Sequence, residues 1–285
     1  ATSNRFSTRT INFVVTSAVT GTQKAIFGFG NNGVSVTNIV SNTGVVATNS
    51  GGVGTTRYYL AATGYGGDKA IFGYGRASTS LSMTNLVSNT GVVSADTAGV
   101  GTIRRGLAAA GYGGDKGIFG YGTSPQVSLT NLVSNTGVVS TDTAGVGTAR
   151  EMLAAASYGE DKAIFGYGYS SVNGNVRFSN LVSNTGVVAN NTTIAQTGRN
   201  GLAAAGYGGD KAIFGYGTIT AYVTLTNLVS NTGVVATENS GVGTPRQSLA
   251  AASYGGDKAI FGYGQASTTS SLTNLVSNTG VVASD

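Results

Sequence analysis

The chain has 285 residues, among them 46 glycines; only 9% of residues are charged, the net charge is +5, and histidine, cysteine and tryptophan are absent. That composition excludes disulfides, zinc sites built from Cys and His, and any triad that needs a histidine base. The 40% hydrophobic content argues against disorder, the modest dispersed charge against nucleic-acid binding, and the lack of an apolar run near about 18 residues against membrane insertion by a helix.

In chain order, residues 1–9 come first and read as an N-terminal extension, a candidate latch on the edge of the last sheet; Ala1 reads as a processed start, since no signal peptide is visible. One unit is then written six times. Its marker, Lys-(Ala/Gly)-Ile-Phe-Gly-(Tyr/Phe)-Gly, has its lysine at Lys24, Lys69, Lys116, Lys162, Lys211 and Lys258, an interval of 45 to 49 residues. A fixed period of that size marks blades or solenoid coils.

The second unit shows the plan. Residues 60–65 are a short apolar segment, Gly66-Gly67-Asp68 a turn, and 70–74 a second apolar segment. After a variable loop, 83–87 form a third, Ser88-Asn89-Thr90-Gly91 turn the chain, and Val92-Val93-Ser94 begin a fourth. Short apolar runs joined by Gly/Asn/Asp turns predict hairpins, and no window carries the 3.6-residue period of a helix. Each unit is therefore expected to be a four-stranded antiparallel sheet. Strict alternation puts Phe72 and Tyr74 on one face, with Ile71, Gly73 and Gly75 on the other. Aromatic groups of one sheet can then fit the glycine-lined face of the next. Six such sheets arranged radially bury both faces of each, which predicts a single six-bladed β-propeller over residues 1–285. The first strands support this: Leu107-Ala-Ala-Ala-Gly111, Leu153-Ala-Ala-Ala-Ser157, Leu202-Ala-Ala-Ala-Gly206 and Leu249-Ala-Ala-Ala-Ser253 lack bulk, as strands converging on an axis must. The valine pairs, such as Val138-Val139, would lie at the rim.

The arginine before the first strand, the small-residue strand, the Lys-Ile-Phe-Gly-Tyr-Gly strand and the Asn-Thr-Gly turn resemble the kelch motif, in the same order. Gly73-Tyr74-Gly75 stands where that family has a double glycine, while the kelch tryptophan and Tyr-Asp pair are missing. The resemblance spans residues 10–285 and implies a propeller with its first strand innermost. The runs GGDKAIFGYG and TNLVSNTGVV are also similar to repeat arrays of phage-encoded hypothetical proteins.

Several repeated residues are candidate sites. Arg57, Arg104, Arg150, Arg199 and Arg246 each precede the marker lysine by 12 residues, with Asn12 in the first unit. In a propeller they would ring a channel mouth, either as an anion site or as ties between blades. The Asp-Lys pairs, Asp68-Lys69 and its copies, read as turn chemistry; one carboxylate per turn is too few for calcium. The tyrosines that close the first and second strands, such as Tyr65 and Tyr74, read as gap fillers with hydroxyls reaching water, or else as sugar-stacking platforms.

Comparison of the units adds more. The Tyr-Gly-Gly-Asp-Lys and Ser-Asn-Thr-Gly turns hardly vary. The second-to-third loops (31–33, 76–80, 123–127, 169–177, 218–222, 265–270) and the fourth-to-first loops, notably 190–196, do vary. Both loop sets leave a meander at the same end, so that end is the expected recognition surface. Arg76, Tyr169, Asn173, Arg177 and Tyr222 are its candidate ligand contacts. The resulting expectation is a non-enzymatic binding or adhesion propeller without metal or cofactor, on a virion or cell surface, soluble, and facing glycan or protein. The alternative is a self-assembling appendage or phage-tail component, and a carboxylate-based enzyme comes third.

Overall fold

The computed structural model describes residues 4–6, 13–15, 24–30 and 34–285. Every element among them is a strand, and the principal sheets are antiparallel meanders in chain order. The third unit is typical: Ala108–Tyr112 pairs with Lys116–Gly120, which pairs with Thr130–Val133. The second, fifth and sixth units repeat that pattern, and the fourth adds Thr192–Thr193 beside Phe178–Val182. No helix of the described residues is long and apolar enough to cross a membrane.

The expected fourth strand is reduced to isolated bridges, and the cause is a bulge. In the second unit Val87 bridges Val93 and Thr84 bridges Thr97, so two intervening residues face three. The extra residue interrupts the ladder. A side chain replaces what the backbone cannot supply there: the Asn85 amide donates to the Ser94 carbonyl at 3.0 Å and to Asp96 Oδ1 at 2.9 Å. Asn38, Asn131, Asn180, Asn227 and Asn274 make the same carbonyl bond in the other units. The sheets of the second to sixth units are thus three regular strands with a bulged outer segment.

Sheets pack aromatic on glycine, as the sequence predicts. A Cβ on Gly73 would lie 2.7 Å from the ring of Phe119, and Gly120, Gly166 and Gly215 face Phe165, Phe214 and Phe261 in the same way. Gly262 of the sixth unit faces Phe27 of the first. Each of these rings is buried, worth about 2 kcal/mol relative to exposure.

The expected side of Tyr74 is corrected. Phe72 packs toward the first unit, whereas Tyr74 joins Ile71 in the cluster with Leu107 and Phe119 of the third. Tyr74 has a left-handed backbone (φ 65°), which breaks the strand's alternation and swings the ring to the glycine face. Tyr121, Tyr167, Tyr216 and Tyr263 share that conformation.

The first strands are buried but for half-buried Ser157 and Gly206, and they touch their neighbours: Ser157 Oγ donates to the Gly111 carbonyl at 2.9 Å, and Ser253 Oγ to Gly206 at 2.6 Å. The first unit differs. Ala25–Gly30 pairs with Val34–Val40 alone among the described residues. Phe13–Val15, which by register would lead into its first strand, pairs antiparallel with Asn4–Phe6, and Arg5 also bridges Lys69 in parallel. Of the proposed latch, then, the described part pairs with Phe13–Val15 and the second unit, not the last sheet. The rest of residues 1–9, and Asn12, lie outside the described residues.

Candidate ligand-binding face

The repeated arginines are ties, not an anion ring. Arg57, Arg104, Arg150, Arg199 and Arg246 are all 0% exposed, so no soluble anion reaches them. Each guanidinium lies over an aromatic ring of the preceding unit, Phe29, Tyr74, Tyr121, Tyr167 and Tyr216 in turn, 4.1–4.6 Å from the centroid. Its donors are taken within its own unit. Arg150 donates from Nε to the Tyr167 carbonyl (2.8 Å), from Nη1 to Thr148 (3.2 Å) and from Nη2 to Asn180 Oδ1 (2.7 Å). Stacking on one unit and hydrogen bonds within the next make each arginine a clamp between sheets, with Arg104 Nε and Arg199 Nη1 the two donors left without a hydrogen bond among the described residues.

An acid stands beside four of the clamps: Asp96 (3.7 Å), Asp142 (3.4 Å), Glu238 (3.6 Å) and Asp285 (3.3 Å). In the fourth unit Asn191 takes that place, bonded to Thr148 and Asn180. Burial raises the pKa of Asp96, Asp142 and Asp285, but hydrogen bonds from threonine and asparagine, helped by the arginine, outweigh it and leave all three lowered. Burial lowers Arg57 to about 10 against the pull of Asp96, and pushes Tyr74, Tyr167 and Tyr216 up to about 12.

Apart from half-buried Tyr263, the strand-closing tyrosines offer no stacking platform. Tyr65 and its copies are buried against the Asn-Thr-Gly turn of the next unit, as Tyr65 is against Gly137. Tyr74, Tyr121 and Tyr216 are 0% exposed, and their hydroxyls donate to the carbonyls of Val100, Val146 and Val242, not to water. Tyr167 has no acceptor for its hydroxyl among the described residues, and Arg199 Nη1 lacks a hydrogen bond beside it. Both belong to the joint where the 190–196 loop departs from the repeat.

The two ends of each sheet differ sharply. At the constant end, the Gly66 amide donates to the Asp115 carbonyl of the next unit (2.6 Å), and Asn89 Nδ2 donates to Asp68 Oδ2 (3.1 Å). The aspartate side chain therefore serves the neighbouring turn, and its bond to the adjacent lysine is exposed, as Lys162 to Asp161 at 2.9 Å shows. At the other end, the fourth-to-first connection bridges the second-to-third loop in five units: Tyr58 to Arg76, Arg105 to Thr123, Glu151 to Tyr169, Asn200 to Thr218, Gln247 to Gln265. The two variable loop sets do share an end.

Of the sequence-derived contacts, Tyr169, Asn173 and Arg177 are exposed on the fourth unit, where Tyr169–Ser170 pairs with Gly174–Asn175 around Asn173. Asn175 Nδ2 donates to the Ile219 carbonyl at 3.0 Å, so this hairpin abuts the loop that carries half-buried Tyr222. Arg76 sits apart on the second unit, half-buried and bridging Tyr58 and Ser80. Side chains join successive loops: Ser80 to Ser124 (2.9 Å), Gln126 to the Ser171 amide (2.8 Å), Thr218 to Gln247 (2.7 Å).

Sequence reasoning missed the residue pair after each arginine. Tyr59, Gly106, Met152, Gly201 and Ser248 form a chain of backbone bonds from unit to unit, each amide donating to the preceding carbonyl at 2.7–2.9 Å. All five are left-handed, with φ between 52° and 66°. The signal was in the sequence: Arg-Tyr-Tyr-Leu, Arg-Arg-Gly-Leu, Arg-Glu-Met-Leu, Arg-Asn-Gly-Leu and Arg-Gln-Ser-Leu vary only between fixed neighbours.

A cavity of about 340 Å³ opens beside Phe27 and Gly30 of the first unit and Leu249 and Tyr263 of the sixth, and reaches Tyr59, Gly106 and Met152 of the second, third and fourth. In the other units the glycine equivalent to Gly30 is covered by a leucine and a carbonyl, as Gly75 is by Leu60 and Tyr58. By register, Val15 and Phe13 correspond to those two residues, and they pair with Asn4–Phe6 instead. The cavity thus lies where the repeat is locally broken.

No protein-family model and no curated protein matches the sequence. The chain is similar to a solved structure described as "Structure of YjhT", with a TM-score of 0.69 and 10% sequence identity over 97% of each chain. At that identity the similarity concerns the fold alone.

Proposed function

We propose that the chain is a closed, kelch-like six-bladed β-propeller that binds glycan or protein through its variable end, without catalysis, at a virion or cell surface. Closure is supported by the Gly–Phe contact, which recurs from the second unit to the sixth and then between the sixth and the first. It is supported also by the fold similarity over nearly the whole chain. The binding reading rests on one observation: within each of five units the two variable loop sets are bridged at one end, while the opposite end repeats the same bonds. Variation gathered on a rigid frame is how recognition surfaces are usually built. A glycan array and a pull-down from candidate host extracts test it; folded protein that stays blank in both would end this reading.

A second reading, self-assembly into an appendage, is favoured by the rim. Val45, Val92, Val138, Val187, Val234 and Val281, one per unit, are each 63–66% exposed. Repeated apolar points on an outer edge suit contact between copies. Sedimentation over a wide concentration range decides it, since a monomer throughout would remove the idea.

A further inference from the structure

Five residues occupy the same left-handed position after the clamp arginines, and the fold needs only a glycine there, as Gly106 and Gly201 demonstrate. Tyr59, Met152 and Ser248 hold that backbone with a side chain, which L-residues do at a cost of about 1–2 kcal/mol. The left-handed tyrosines of the second strand have a packing reason, because their rings lie buried under arginine. Tyr59 and Ser248 are not buried in that way: Tyr59 is 41% exposed and Ser248 is exposed. Strain kept without a packing return points to function.

Resting on the reading of the variable end as a binding face, we propose that this backbone collar is the ligand-contact site and that its ligand is an uncharged oligosaccharide. The chemistry of the collar selects that class. Tyr59 offers an exposed ring, braced edge-on by Tyr58 with centroids 5.0 Å apart, and a braced aromatic ring suits the apolar face of a sugar. Ser248 lines the same cavity as Tyr59, together with the uncharged polar side chains of Gln265, Thr269 and Ser270, whose amide and hydroxyls can donate and accept as sugar hydroxyls require. The two collar charges are already engaged: Arg105 Nη1 donates to Ser124 Oγ at 2.8 Å, and Glu151 Oε1 accepts from Gln126 at 3.1 Å. No charged side chain lines the cavity that Tyr59, Met152 and Ser248 border among the described residues, so nothing there selects an anionic ligand.

The fold itself supplies the test. Tyr59→Gly and Ser248→Gly install the residue that the third and fifth units already use, so folding is expected to be kept. Binding would be read on an array of neutral hexose and N-acetylhexosamine oligomers with their sulfated counterparts, then by titration of the best neutral oligomer. The expected result is binding of neutral oligomers without preference for sulfated ones, weakened about tenfold or more by Tyr59→Gly at unchanged melting temperature. Should Tyr59→Gly unfold, Ser248→Gly and Tyr59→Ser, which installs the residue the sixth unit already uses, carry the same readout. Binding untouched by the collar variants but abolished by Asn173→Ala with Arg177→Ala would overturn the collar while leaving the binding face intact. A protein partner captured with no oligomer bound would overturn the ligand class. Failure of every ligand would sink the underlying reading instead.

Discussion

The two ends of each sheet use the same kinds of residue but different kinds of bond. At the constant end, units are joined by backbone, Gly66 to Asp115, Gly113 to Asp161, Gly159 to Asp210 and Gly208 to Asp257, and these bonds repeat within 0.1 Å (2.6–2.7 Å). At the variable end a backbone chain from Tyr59 to Ser248 also runs from unit to unit, but the outer loops are joined by side chains, and every such joint is different: serine to serine, glutamine to an amide, asparagine to a carbonyl, threonine to glutamine. A bond made by backbone is indifferent to side-chain identity, so it can be copied along a repeat. A bond made by side chains ties each joint to its own residues, and that leaves the surface free to become asymmetric. Between the ends lie the arginine clamp and the glycine–phenylalanine contact, which set the spacing of the sheets.

The largest expected effect lies in that middle layer. Arg104→Ala removes a buried cation from Tyr74, Asn131 and Asp142, and unfolding in urea should show a loss of about 3 kcal/mol or more. A loss below 1 kcal/mol would mean that the clamp is ornamental. Gly166→Ala should cost about 1–3 kcal/mol, because its new methyl would sit 2.5 Å from the Phe214 ring. Two tyrosines then separate a regular joint from an irregular one. Tyr121→Phe gives up the bond to the Val146 carbonyl and should cost about 1 kcal/mol, whereas Tyr167→Phe deletes a hydroxyl without an acceptor among the described residues and should be close to neutral. Equal costs for the two would erase that distinction. The smallest effect belongs to the variable end: Asn173→Ala with Arg177→Ala should shift stability by no more than about 0.5 kcal/mol, judged by thermal melting. A larger shift would make the outer hairpin part of the frame.

Much of the frame could be read from residues. The Gly73 and Phe119 contact followed from period-two alternation, and the small first-strand residues marked in the sequence are alanines that the structure buries. Tyr74 was misplaced because alternation presumes an ordinary strand backbone, and its left-handed φ is not visible in the run Phe-Gly-Tyr-Gly. The regular fourth strand was expected because Val92-Val93 looks like one; the bulge depends on an asparagine side chain that pairs across nine residues. The arginines repeat in the sequence, yet whether a repeated cation lines an opening or lies under a ring is a question of depth. On the candidate face, Asn173 and Arg177 were legible as loop variation, while the collar went unnoticed because its variable residues number only two per unit.

By itself the sequence determined the period, the all-β hairpins and the aromatic-on-glycine packing, because these arise from local pattern and steric size repeated six times. Only the tertiary structure decided where the arginines go, which way Tyr74 faces, and that the residues after each arginine link unit to unit. Those outcomes depend on burial and on backbone torsions set by neighbouring sheets, and neither is written in the order of residues within one unit.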